Sequence, residues 1–419
     1  MTYKTYDVAI IGGGWAGISA AVFATLNNKK VLLLEASERL GGRARKVIHD
    51  DKVFDNGQHL LVGAYDTFFE LLHHLKLPKE TLFHSTPFFY HLLDAPHAPK
   101  MTLENRFSSA FISLGRYFPD VLKAFWHTLQ KTAPYQNESV FEYLTRLKLS
   151  KAIIDTFFAP LVLASMTTRI DKADAICFIH MIKKLKIKGG LNFYVPKTDL
   201  SAVLPIPAMQ WLQARGATIQ LGTRVLNISK DKIFSIACKN TEYTAKEVIV
   251  ATHVTQWENI LGSFAALQPI LQNAKAFQFQ AITTLYLEYA EKLHVPAPFV
   301  GFLNGPIDWV FKNPGGEHAN KVACVISDPI PNSQANLPIT AMSYLHKNLG
   351  FPQQATHHFV ITEKRAAFAC TPQHRPLRPN TQTSVPGLHL AGDLIQTHLP
   401  ATLESAVLSG KWAAERCLP

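Results

Sequence analysis

Three glycines and an acid mark the first place where this chain could do chemistry. Gly12, Gly14 and Gly17 stand in a G-x-G-x-x-G pattern, and Glu35 closes the next apolar run. In that order the glycines permit a tight turn, close approach of a pyrophosphate to the backbone, and close packing of a helix on a strand. A helix that begins there offers free N–H groups and the positive end of its dipole to phosphate. Glu35 can accept hydrogen bonds from ribose hydroxyls. The elements needed to hold these groups surround them. "YDVAII" (6–11) reads as a buried strand, "ISAAVFATLNN" as a buried helix closed by Asn27-Asn28, and "KVLLLE" as a second buried strand. The glycine pattern alone would say little, but strand, glycine turn, helix, strand and acid together predict a dinucleotide site.

Three further stretches carry polar groups at suggestive places. "EASERLGGRAR" (35–45) sets Gly41-Gly42 for another close backbone approach and Arg43 to reach back toward a pyrophosphate as a charge-assisted donor. "VFDNGQHLLVGAY" (53–65) places Asp55-Asn56 at a turn, with Gly57, Gln58 and His59 following it. "LHLAGD" is an apolar strand ending at Gly392-Asp393, and "PATLESAVLSGKWAAERC" after it is a helix with Pro400 at or just before its first turn. The amides of that helix start point beyond the strand end, where they can stabilise negative charge.

Glu35, Arg39, Gly41, Gly42 and Arg43 match, residue by residue, the E-x-x-x-R-x-G-G-R stretch of the FAD-binding amine oxidase and phytoene desaturase superfamily, which the chain resembles. The resemblance implies FAD as cofactor rather than NAD. It implies an α/β fold, with a discontinuous Rossmann-like FAD-binding domain near 1–85, 190–255 and 355–419 and a second, α+β substrate domain near 86–189 and 256–354. It assigns to FAD the residues Gly12, Gly14, Trp15, Ala16, Gly17, Glu35, Ala36, Arg39, Gly41, Gly42, Arg43, Gly57, Gln58 and His59. To these it adds the Val225 backbone at the adenine, Gly392 and Asp393 at the phosphate and ribityl, and Ala401, Thr402 and Leu403 at a helix start facing the flavin ring.

Residues 54–72, 196–228, and 363–379 joined to 390–410 look like the hydroxysqualene dehydroxylases of bacterial hopanoid pathways, most specifically in D-N-G-Q-H and L-P-A-T-L-E-S-A. The likeness is weakest at 86–190 and 256–354, and Leu394 stands where that family commonly has Trp. The reaction this implies is reductive dehydroxylation of hydroxysqualene to squalene. Loss of the allylic hydroxyl leaves a delocalised cation, which hydride from reduced flavin captures in a pocket shielded from water. His59 and His398 are the candidate proton donors, with a structural hydrogen-bonding role as the alternative for both. Three other readings stay open: a carotenoid-type desaturase of a C30 polyene, an amine oxidase, and a non-catalytic FAD-holding lipid-binding partner subunit.

Composition bounds the rest. The chain has 419 residues, 47% hydrophobic and 17% charged, which favours more than one core and excludes a disordered protein. A net charge of +11 suits an anionic cofactor or membrane surface. No basic cluster accompanies a nucleic-acid motif, so no nucleic-acid partner is expected. Cys177, Cys238, Cys324, Cys370 and Cys417 form no C-x-x-C pair, and His73-His74 are adjacent rather than spaced as ligands. Buried thiols, a cytoplasmic location and no metal site are therefore expected. No apolar run reaches membrane-spanning length. The aromatic segment 83–128, with Arg116, Lys123 and His127, reads as core helix, apolar substrate tunnel or membrane-docking face. The expected partners are a lipophilic isoprenoid substrate, a peripheral membrane surface and other squalene-pathway enzymes. Residues 204–252 read as a helix ending at Gly216 followed by an antiparallel meander.

Overall fold

The computed structural model describes residues 5–417 except 96, 99–100, 104–116, 130–133, 186–188, 313–318, 328 and 330–335. Its first layer is a seven-stranded sheet in the order β10 (Thr218–Gln220), β2 (Val31–Leu34), β1 (Thr5–Ile11), β13 (Glu242–Val250), β12 (Phe234–Cys238) and β11 (Val225–Lys230), with β19 (Leu388–Leu390) also on β13. β10, β2, β1, β13 and β19 run parallel. Continuous apolar strands such as Val31–Leu34 suit that position, because both faces of a parallel sheet are covered. The meander expected over 204–252 is split. β11, β12 and β13 are antiparallel neighbours, but β10 lies at the opposite edge, parallel to β2. Alternation of side chains specifies a strand; it does not name the strand's neighbour.

A second, antiparallel sheet has the order β15 (Phe299–Gly301), β16 (Trp309–Lys312), β17 (Lys321–Ser327), β14 (Phe279–Glu288) and β18 (His357–Phe368). Pairing of β18 along β14 puts residues 357–368 in this sheet, whereas a boundary at 355 would assign them to the cofactor part. β18 fills the side of β14 that β17 leaves open, and so satisfies its backbone groups. Smaller sheets join β3 (Lys46–His49) to β4 (Lys52–Asp55), β5 (Leu61–Val62) and β6 (Phe83–Thr86) to β9 (Phe193–Pro196), and β7 (Phe88–Tyr90) to β8 (Met101–Leu103). Phe54 of β4 packs on Tyr286 and Phe359 at ring separations of 5.0 and 4.9 Å, and so ties the hairpin to the second sheet.

The first helix, Trp15–Leu26, and the C-terminal helix, Leu403–Arg416, touch backbone to backbone. A Cβ on Gly410 would sit 2.2 Å from the Ala16 carbonyl oxygen, and Ser19 Oγ donates to the Val407 carbonyl at 2.7 Å. Each helix follows a parallel strand, β1 or β19, so both helix starts open at the same edge of the sheet.

The aromatic segment divides. Phe88, Phe89 and Tyr90 are buried, as is Ala124 of the helix Phe118–Leu129, but Leu122 and Trp126 on that helix are 51% and 56% exposed. A core helix thus describes only one of its faces. Lys123 and His127 are half-buried there. Residues 104–116, Arg116 included, lie outside the described residues. Among the described residues no helix is long and apolar enough to cross a membrane. All five cysteines are free thiols.

Candidate active site

The glycine turn closes on the end of β13. Gly12 has φ +107°, and a Cβ there would lie 2.7 Å from the Ala251 carbonyl oxygen; one on Gly17 would lie 1.8 Å from that of Gly12. Gly14 caps the first helix without a side chain and faces Gly42, whose Cα would be 3.9 Å from a Cβ on Gly14. The Gly41 N–H donates to the Gly13 carbonyl at 2.8 Å, so two glycine turns face one another with bare backbone between them. Trp15 Nε1 donates to the Ala44 carbonyl at 2.8 Å and holds the second turn in place, while Ala16 is buried against the C-terminal helix. Glu35 accepts from the Gly13 N–H at 2.6 Å and the Ser37 N–H at 2.8 Å, one on each oxygen. A carboxylate oxygen has a second lone pair, so this brace leaves acceptors for ribose hydroxyls. Ala36 and Arg39 are exposed at the rim.

Arg43 departs from expectation. Its Nη1 donates to the Ala366 and Arg365 carbonyls at 2.7 and 3.1 Å, and its Nη2 donates to Asp393 Oδ1 at 2.6 Å. The guanidinium therefore clamps the loop to β18 and to the C-terminal segment instead of reaching back to the glycine turn. Five donors on a planar fork favour a site with several fixed acceptors, and β18 supplies them.

Within 55–59 the polar residues separate. Asp55 turns away from the glycine turns: its Oδ1 accepts from the Leu200 N–H at 2.8 Å, its carbonyl from the Tyr286 hydroxyl at 3.0 Å, and burial pushes its carboxyl up to about 7. Asn56 Nδ2 donates to the Arg43 carbonyl at 3.0 Å. Gly57 faces Thr284, and Gln58 makes only a 3.5 Å contact with the His59 carbonyl. The half-buried His59 ring is pushed down to about 4 by desolvation, with the Arg43 charge adding to it. It is uncharged at neutral pH, which suits hydrogen bonding better than proton delivery. Val225 is buried at the start of β11, opposite Cys238.

Arg43, Gly392 and Asp393 form one wall of a cleft whose other walls include Thr252, His253, Phe279, Phe368 and Leu394. Thr252 and His253 were not singled out by sequence. The available signal was their place just past "VIVA", the carboxyl end of a parallel strand, where ligands of open α/β sheets sit. Thr252 Oγ1 and His253 Nε2 are buried with no partner among the described residues. His253 is pushed down to about 4, first by burial and then by the Arg43 charge. Unpartnered polar atoms beside a bare glycine cradle are what a bound polar dinucleotide would satisfy.

At the other end, Thr402 caps the C-terminal helix by accepting from the Ser405 N–H at 3.1 Å, with Ala401 and Leu403 half-buried beside it. His398 is exposed, has φ +62°, and stacks on His180 with ring centroids 4.9 Å apart. Glu404 is only 1% exposed, and its carboxylate accepts from the Thr67 and Phe68 N–H groups at 3.1 and 3.0 Å and from Lys184 Nζ at 2.8 Å. It anchors the start of the helix Asp66–His74 to the start of the C-terminal helix. Far along the C-terminal helix, Glu247, His389 and Cys417 bring one potential metal-ligating atom each within 4.8 Å of one another, a cluster not anticipated from sequence because its members lie far apart in the chain. There Glu247 Oε2 is 3.2 Å from His389 Nε2 and the Cys417 thiol donates to the Ala413 carbonyl, a hydrogen-bonded pair beside a buried thiol; burial holds the His389 ring below the usual imidazole range.

Residues 15–418 match the model of the flavin-containing amine oxidoreductases. The chain belongs to that family. This flavin-containing amine oxidoreductase is an FAD-dependent oxidoreductase. The bare glycine cradle, the free lone pairs of Glu35 and the unpartnered atoms of the Arg43–Asp393 cleft are groups with which the chain could hold FAD. It is similar to hydroxysqualene dehydroxylase of Zymomonas mobilis, 26% identical with 98% of each chain covered. It is also similar to 15-cis-phytoene desaturase of Capsicum annuum, 20% identical over 98% of this chain and 78% of that one. Cyclohexylamine oxidase from Brevibacterium oxydans shares the fold, with a TM-score of 0.74, 14% identity and 99% of each chain covered.

Proposed function

We propose that this flavoprotein reductively dehydroxylates hydroxysqualene to squalene. The observation that carries the reading is end-to-end similarity to a hydroxysqualene dehydroxylase, 98% of both chains, whereas the plant desaturase extends well beyond the shared region. In the reaction the allylic C–O bond breaks, a C–H bond forms at the same carbon, and the oxygen leaves as water after gaining a proton. Reduced FAD supplies the hydride equivalent when bound. The chain's own residues supply the surroundings. Phe279, Phe368 and Leu394 give the cleft apolar walls that keep water from the cation. Asp393, held by Arg43, and the open Thr252 and His253 atoms hold the cofactor's polar parts. His59, uncharged at neutral pH, orients by hydrogen bonding, which leaves His398 as the proton donor of this reading.

Leu122 and Trp126, exposed on either side of Lys123, support a lipid-facing role for the helix Phe118–Leu129, through which an isoprenoid substrate would enter from a bilayer.

The test is anaerobic incubation of the FAD-loaded, dithionite-reduced protein with hydroxysqualene. Squalene should appear as the flavin reoxidises. If neither happens, the reading is wrong. Similarity to a phytoene desaturase favours a second reading, oxidative desaturation of a C30 polyene; oxidised protein given dehydrosqualene would then yield the more conjugated product and the first experiment none.

A further inference from the structure

Arg378 is 6% exposed and lies behind the loop that joins β19 to the C-terminal helix. Its Nε donates to the Leu394 carbonyl at 3.0 Å and its Nη1 to the Leu399 carbonyl at 2.8 Å. Its Nη2 reaches the Ile395 carbonyl at 2.5 Å, the Asp393 carbonyl at 3.3 Å and Thr397 Oγ1 at 3.4 Å. The guanidinium carbon stands 4.8 Å from the centre of the Phe368 ring. One side chain thus holds five of the seven residues from Asp393 to Leu399.

Two features set this arginine apart. The first is charge. Every acceptor is a neutral oxygen, and among the described residues no carboxylate lies within ion-pair distance of Arg378. A guanidinium stays charged in proteins, and a buried charge without a counter-ion is costly. Here the counter-charge is missing next to a ligand site: Phe368, Asp393 and Leu394, all touching Arg378, line the cleft.

The second is direction. In a trans peptide the N–H points opposite to the carbonyl. Turning the carbonyls of Asp393, Leu394 and Ile395 onto the guanidinium turns the N–H groups of Leu394, Ile395 and Gln396 away from it. The Ile395 N–H returns to the Gly392 carbonyl and that of Gln396 to the Pro379 carbonyl, at 3.2 and 2.9 Å. The Leu394 N–H has no partner among the described residues and belongs to a residue of the cleft wall. His398, with φ +62°, lies between Thr397 and Leu399, two of the groups that Arg378 holds, so its unfavourable backbone is over-determined by the same side chain.

We propose that Arg378 is a positioning residue for the cofactor: it moulds the loop Asp393–Leu399 so that the Leu394 N–H faces bound FAD, and its unpaired charge favours the two-electron-reduced, more negative form. This rests on the FAD assignment alone and is independent of the substrate.

Arg378→Met and Arg378→Lys, compared with the wild-type holoprotein, test it through FAD dissociation constant and flavin midpoint potential. Arg378→Met should weaken FAD binding about tenfold or more. It should also move the reduction equilibrium about tenfold toward oxidised flavin, a midpoint about 30 mV lower for a two-electron couple. Arg378→Lys keeps the charge but not the fork. It should bind FAD as weakly as the Met variant while recovering most of the potential. A Met variant with wild-type affinity and potential overturns the proposal, and equal potentials in the Lys and Met variants overturn its electrostatic half. If the Met variant does not fold, Arg378→Lys decides through hydrogen exchange: faster exchange across 393–399 supports the moulding role, and unchanged exchange with unchanged FAD affinity sinks it.

Discussion

Arg43 Nη2 donates to Asp393 Oδ1 at 2.6 Å, which joins the loop after β2 to the loop after β19. These loops are far apart in the chain, yet parallel strands deliver both to one edge of the sheet. Each side chain remains partly exposed, 34% and 18%, so the pair itself is screened by water. Its value lies in orienting the cleft. Asp393→Ala should leave the fold intact and weaken FAD binding by about 1–3 kcal/mol, the range for a lost charge-assisted hydrogen bond. Flavin fluorescence titration of the apoprotein measures this, and wild-type affinity in the variant would remove Asp393 from the cofactor site.

His59 and His398, equivalent in sequence, should behave differently. With the His59 ring already neutral above about pH 4, His59→Gln should lower turnover without changing the shape of the pH–rate profile between pH 6 and 8. His398→Gln should lower turnover more than His59→Gln does, because this reading gives the proton transfer to His398. His398 also has φ +62°, a region that β-branched residues avoid. His398→Val should therefore lose roughly 1–3 kcal/mol of stability relative to His398→Asn, read from urea midpoints.

Gly410 sits where a Cβ would be 2.2 Å from the Ala16 carbonyl oxygen, a backbone atom that cannot swing aside. Gly410→Ala should push the C-terminal helix off the first helix at a cost of about 1–3 kcal/mol, as for other overpacked contacts. Because both helix starts face the cofactor region, FAD content should fall with it. A variant with wild-type melting temperature and full flavin would show that the two helices tolerate separation.

Asp55 links stability to pH. Its carboxyl lies at about 7 in the folded protein against 3.8 for the free group, mainly because burial disfavours the anion. Between those values the folded state holds a proton that the unfolded state has released, so stability falls as pH rises from about 4 to about 7 and levels off above. Asp55→Asn removes that slope while keeping an oxygen to accept from the Leu200 N–H. The stability difference, Asn variant minus wild type, should grow by a few kcal/mol in order of magnitude across this window. A difference that is constant with pH contradicts this account.

Leu122 and Trp126 project from the helix Phe118–Leu129 at 51% and 56% exposure. If that face rests on lipid, Leu122→Ser with Trp126→Ser should reduce flotation with anionic phospholipid vesicles by about tenfold to a hundredfold, the scale set by taking two half-exposed large apolar side chains out of water. Flavin content should not change. Equal flotation of wild type and the double variant would place any lipid contact elsewhere.

Local chemistry was legible where it is local. The glycine turn, the buried first helix, the acid at Glu35, and the strand and helix around Gly392-Asp393 all follow from short-range spacing, since φ/ψ demands, helix starts and continuous apolar runs are properties of a few neighbouring residues. Long-range pairing was not. Nothing in "ATIQL" says that β10 pairs with β2 and not with β11, and nothing in 357–368 says that it completes the sheet of β14. Arg43 reads as a phosphate contact until β18 and Asp393 are seen to occupy its fork. Thr252 and His253 look like ordinary residues after a strand until the cleft closes around their unpartnered atoms. Arg378 looks like one more arginine in a basic segment until five oxygens of a distant loop surround it. The amino-acid sequence by itself determined the dinucleotide fingerprint and the helices and strands that carry it. Tertiary structure decided which side chains meet at the cleft, because burial and the loss of water as a hydrogen-bond partner exist only once distant segments meet.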